Sequence, residues 1–117
     1  MTRELASRLQ AASLTLDLVT TDPTKIKPGK TTAWIRPPEL EWQAWHEPPE
    51  PSFDVVIAAG TPTNQLAGVE TIMSVLDEWN DAETPINLTK AVPVSLDLTG
   101  MAGTIAAYQV TIGPMDL

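Results

Sequence analysis

The sequence predicts an α+β domain: a mostly antiparallel sheet of four to five strands packed by two helices. Three observations carry this expectation. Two segments, near residues 3–15 and 64–80, repeat apolar residues with helical spacing. A nearly unbroken β-branched run fills residues 53–59. Two alternating runs after residue 91 are joined by a glycine-spaced link. The resulting order is α-β-β-β-α-β-β, and the 117 residues make one ordinary domain spanning 1–117.

In the first helix, Leu5, Leu9, Ala12 and Leu16 form one stripe. Thr2 is placed to cap its start, and Glu4 complements the positive helix end. Asp22-Pro23 closes the region, because a residue before proline avoids helical geometry. A polar connection over residues 20–32 follows, with a turn at Pro28-Gly29. Thr31 to Arg36 reads as a strand that Pro37-Pro38 must interrupt, since proline donates no backbone hydrogen bond. Leu40, Trp42 and Ala44 alternate with Glu39, Glu41 and Gln43, the period-2 pattern of a half-buried strand. Glu47-Pro48-Pro49-Glu50-Pro51 reads as an extended linker.

Phe53 to Ala59 is the strongest strand, expected at the centre of the sheet with both faces covered and ended by Gly60. Pro62 suits the first turn of a helix. Leu66, Val69, Ile72, Met73, Leu76 and Trp79 then form its apolar stripe. In the closing pair of strands, Val92, Val94, Leu96 and Leu98 alternate in one arm, and Tyr108, Val110 and Ile112 in the other. Pro93 marks the first arm as an edge strand or the site of a bulge. Glycines at 100 and 103 suit the loop between them.

Composition narrows the function classes. Apolar residues make up 43% of the chain, enough for a core and too many for a disordered tail. Absence of cysteine excludes disulfides, zinc–thiolate sites and cysteine nucleophiles. A charged start and no long apolar stretch predict a soluble chain with no cleaved signal and no membrane association. A net charge of −8 argues against nonspecific nucleic-acid binding. The acids concentrate in residues 39–54 and 70–83, where no lysine or arginine occurs, whereas Lys25, Lys27 and Lys30 share one loop. Acidic faces and a basic protrusion on one molecule are able to pair between identical copies.

No catalytic arrangement emerges. The lone His46 has no evident partner, and as an exposed loop residue it needs none. No serine lies in a Gly-x-Ser-x-Gly elbow, and Gly100 and Gly103 fall between strands instead of before a helix, where a phosphate loop would lie. Glu39 and Glu41 share one face of a strand and read as the wet side. No catalytic, metal-ligating or cofactor-binding residue is assigned. The tryptophans matter more. Trp42 and Trp45 are an odd step apart, so a strict strand points them to opposite faces. Trp45, like Trp34 beside the proline pair, is either an interface residue or folded back on the prolines. Trp79 reads as core.

The helix, the lysine-bearing Pro-Gly loop, the run Thr32-Ala33-Trp34-Ile35-Arg36-Pro37-Pro38, the strand Phe53-Asp54-Val55-Val56-Ile57, the helix from Gln65 to Trp79 and the last strand Tyr108-Gln109-Val110-Thr111-Ile112 come in a familiar order. In size and element order the chain resembles the tail terminator proteins of long non-contractile-tailed bacteriophages, especially those of actinobacterial hosts. The resemblance implies a virion protein of the tail–neck junction, assembled in the host cytoplasm. It implies a homo-oligomeric ring, typically a hexamer, that caps the tail tube, ends its polymerisation and receives the head-side connector or stopper protein. Genomic DNA would pass through the lumen without specific binding, and carboxylates lining a lumen would repel its phosphates. On this reading Lys25, Lys27, Lys30, Trp34 and Trp45 are the candidate subunit interface, and the protein is not an enzyme and has no cofactor. The alternatives are another neck component, such as a head-completion or connector protein, and an acidic inhibitor that mimics DNA.

Overall fold

The computed structural model describes residues 2–42, 45, 50–82, 86–97 and 103–113. Helix α1 (Thr2–Ala12) leads into a short strand β1 (Leu18–Thr20). A 3-10 turn (Pro23–Lys25) and the lysine loop connect β1 to β2 (Thr32–Ile35). Next come β3 (Glu39–Glu41), β4 (Glu50–Ala59), helix α2 (Gln65–Asn80), β5 (Leu88–Asp97) and β6 (Thr104–Ile112). The sheet runs β1-β2-β4-β6-β5, with β3 added to β4 off this path. Among the described residues, only β1 and β2 pair in parallel. Two helices on a mostly antiparallel sheet are the predicted α+β class.

The core lies between the helices and one face of this sheet. Leu5, Leu9, Ile72, Val75 and Trp79 of the helices pack against Ala33, Ile35, Phe53, Val55, Ile57, Val110 and Ile112. The opposite face carries a smaller cluster of Ile26, Val56, Ala58, Ile105 and Ala107, with Trp34, Val94 and Leu96 packed against it. Residues 55–59 are therefore all buried, as the continuous apolar run predicts. β5 ends the strand order, which places Pro93 on an edge strand, and a bulge interrupts its pairing between Leu88 and Lys90.

Several elements differ from expectation. α1 stops at Ala12, not Ala12 plus another turn, and Thr2 belongs to the helix itself. Leu16 is still buried, carried by the segment after the helix. β1 was hidden because its three residues sit between a helical stripe and a polar loop, and pairing with β2 alone defines it. The α2 stripe is rotated: Gly68, Ile72, Val75 and Trp79 are buried, while Leu66 and Met73 are exposed. Gly68 sets this rotation. A methyl group there would lie 2.5 Å from the Ala59 carbonyl oxygen, so the bare glycine face is where α2 touches the sheet. Gly60 meets the same spot from the other side at φ 78°, with a Cβ there only 2.9 Å from the Gly68 Cα.

The segment 39–44 was expected to be half-buried. Instead β3 covers Glu39–Glu41, and Leu40 and Trp42 are exposed, while Gln43 and Ala44 lie outside the described residues. The cause is local. Arg36 N–H still bonds the Asp54 carbonyl at 3.0 Å, continuing the β2–β4 ladder. Across Pro37-Pro38 the register then slips: Ile35 faces Val55, but Glu39 faces Ser52. β3 and the first residues of β4 thus form a two-stranded ribbon beyond the part of β4 that pairs with β6. Glu50 and Pro51, read as linker, belong to β4. His46, most of the predicted proline linker and the 98–102 loop lie outside the described residues.

Candidate functional site

The candidate interface residues fall at two ends of the molecule. At one end, the β1–β2 connection crosses the sheet face opposite the helices and seats Ile26 in the smaller cluster. Its backbone is tied down. Asp22 accepts hydrogen bonds from the Thr24 amide at 3.0 Å and hydroxyl at 2.7 Å, and these bonds hold its carboxyl below the usual range. Ile26 N–H bonds the Pro23 carbonyl at 3.2 Å, and Gly29 N–H bonds the Gly60 carbonyl at 2.8 Å. Gly29 adopts φ 78°, which the predicted Pro28-Gly29 turn supplies without strain. Lys25, Lys27 and Lys30 are all exposed on this ordered loop.

The three lysines line a depression of about 360 Å³ with Asp17, Leu18 and Thr32. Asp17 accepts from the Thr31 amide at 2.9 Å, which fixes the loop's return to β2. Thr32 is fully buried, and its hydroxyl has no hydrogen-bond partner. A buried hydroxyl without a partner costs free energy.

At the other end stands the β3–β4 ribbon. Leu40 is 42% exposed, Trp42 61% and Trp45 87%. Glu39 and Glu41 are exposed and, two residues apart on a strand, share a face. The register pairs Glu39 with Ser52 and Glu41 with Glu50. Trp34 does not join this group. It is half-buried against the smaller cluster, with the Arg36 guanidinium 5.8 Å from its ring centroid. Lysine loop and ribbon lie near opposite ends of β4: from Ser52 to Gly60 the strand advances about 25 Å at ~3.3 Å per residue. The molecule is 50 Å long and 21 Å across its narrowest axis.

A second hollow, of about 600 Å³, opens between the ends of the two helices beside Arg8, Leu14, Glu78 and Asp81. Its Glu78 belongs to the acid-rich stretch 70–83, and the structure gives it a structural task. The carboxylate accepts from the Ser13 hydroxyl at 2.8 Å, the Leu14 amide at 3.0 Å and the Thr15 amide at 3.3 Å. Burial pushes the Glu78 carboxyl up, but hydrogen bonds from Thr15, Ser13 and the Leu14 amide outweigh it and hold the group below its ordinary value. Next to it, the Trp79 indole N–H bonds the Leu9 carbonyl at 3.0 Å. That carbonyl is in the last turn of α1, where no intrahelical donor is available. No sequence motif announces either contact, because the partners are more than sixty positions apart.

Among the described residues, no three or more carboxylate or imidazole groups come together in a way that would hold a metal ion, and no helix is long and apolar enough to cross a membrane. Compared with known proteins, the chain matches no family model and no curated sequence.

Proposed function

We propose that this chain is a structural virion protein that closes, as a ring of identical copies, on the end of a long non-contractile phage tail tube. In that role it ends tube polymerisation and offers its outer surface to the head-side connector. The observation that supports self-assembly is the placement of an acidic ribbon with exposed Leu40, Trp42 and Trp45 at one end and a basic loop at the other. Large exposed apolar side chains favour a partner that covers them, and tryptophan is the residue type most enriched at interface centres. Two unlike patches on one surface make a head-to-tail contact, which closes into a ring when the rotation between neighbours permits. The assignment to a tail tube rests on the resemblance in size and element order.

The test is native mass spectrometry of the full chain, together with negative-stain images of tail tubes mixed with it. Closed rings, and tubes capped at one end, are the expected result. A chain that stays monomeric both alone and in the presence of tubes refutes the assignment.

A further inference from the structure

The ribbon and the lysine loop present opposite charge on the same side of the sheet. Directly paired residues of neighbouring strands share a face. Thr32 pairs with Ala58, a member of the cluster on the side away from the helices. Glu39 pairs with Ser52, an even step from Ala58 along β4, so Glu39 and Glu41 project to that same side. Leu40, between them, projects to the other. Within one molecule the ribbon lies about 25 Å along β4 from the lysine loop, far beyond the length of a salt bridge.

We infer that Glu39 and Glu41 of one copy dock in the Lys25–Lys27–Lys30 depression of the next, making the contact between copies directional. This deepens the assembly reading and rests on it. The incoming carboxylates meet three ammonium groups. Asp17 also lines the depression, but the Thr31 amide engages its carboxylate, and the balance of charge there stays positive. A carboxylate-bearing ribbon is preferred to nucleic-acid phosphate because both complementary halves exist on this one chain, whose net charge is −8.

The experiment is a charge swap in the full chain. One variant carries Lys25→Glu, Lys27→Glu and Lys30→Glu; a second carries Glu39→Lys and Glu41→Lys. Each alone is expected to associate at least about tenfold more weakly than the parent by native mass spectrometry and sedimentation, since like charges now face each other. An equimolar mixture is expected to recover the parent's oligomer with the two variants alternating, and so is a single chain carrying all five changes. The altered side chains are exposed, so melting temperatures should stay within a few degrees of the parent; if either variant unfolds, the Lys→Gln and Glu→Gln versions give the same reading of weakened association. Parental rings formed equally well by both single-sided variants, or a mixture that fails to recover them, overturn the pairing while leaving ring formation standing. Loss of retention of a DNA fragment, with association intact, also overturns it and assigns the depression to phosphate. A parent chain monomeric with and without tubes overturns both the pairing and the assembly reading.

Discussion

Replacing Glu78 by alanine removes one carboxylate that three donors share, and its effect follows from the structure. The Ser13 hydroxyl and Thr15 amide are partly sheltered, whereas the Leu14 amide is exposed and water replaces the lost oxygen there. A hydrogen bond to a charged group contributes about 1.5–3 kcal/mol, and partial exposure lowers this, so the expected loss is about 2–4 kcal/mol for the cluster. With an unfolding entropy of roughly 2.1 cal/mol/K per residue, a chain of 117 residues loses about 4 °C of melting temperature per kcal/mol. Glu78→Ala should therefore melt about 8–16 °C below the parent at neutral pH. The pH dependence supplies a second reading. The folded state holds this carboxyl below its ordinary value, so the unfolded chain binds the proton more readily. The part of the stabilisation that depends on ionisation is then fully present above the ordinary glutamate value of about 4.3 and is lost as pH falls through the lower, folded value. The gap between thermal melts of parent and Glu78→Ala should narrow from about pH 7 to about pH 3, because the protonated carboxyl keeps weaker, neutral hydrogen bonds. A difference below roughly 2 °C at neutral pH, or a gap that does not change with pH, would refute the clasp.

Other substitutions probe other contacts. Gly68→Ala pushes a methyl group against the Ala59 carbonyl and the Ala106 side chain, and is expected to cost about 1–3 kcal/mol in denaturant melts despite alanine's better helix propensity. Trp79→Phe leaves the Leu9 carbonyl without its buried donor; urea unfolding should show a loss of about 1–3 kcal/mol, with more for Trp79→Ala. Trp42→Ser, at a position 61% exposed, should change the melting temperature by no more than a few degrees yet lower the oligomer fraction in sedimentation; a large stability loss with association unchanged would make Trp42 a folding residue.

Much of the fold was legible because it depends on short-range patterns. The β-branched run at 53–59 identified a central strand covered on both faces, and Pro93 pointed to an edge strand or a bulge, of which the edge is observed at its position. Periodicity gave less where a helix or strand runs past the core. Leu66 and Met73 fit the α2 stripe by spacing, but the close approach at Gly68 turns the helix and leaves them in solvent. Leu40 and Trp42 alternate like core residues, yet the slip at Pro37-Pro38 carries them beyond the reach of the helices. The candidate interface shows the same division. The lysines and glutamates could be named from the chain, but that they lie near opposite ends of β4 and project to one side of the sheet could not.

From the amino-acid sequence alone came the α+β class, the central strand, the two helices, the segregation of acids from lysines and the lack of a recognisable catalytic motif. These depend on composition and on neighbours within a few positions. Tertiary structure decided the parallel β1, the rotation of α2, the clasp from Glu78 and Trp79 to the end of α1, and the projection of the acidic ribbon. Each of those depends on contacts between residues distant in the chain, where the spacing of side chains along one element carries no information about what will stand opposite.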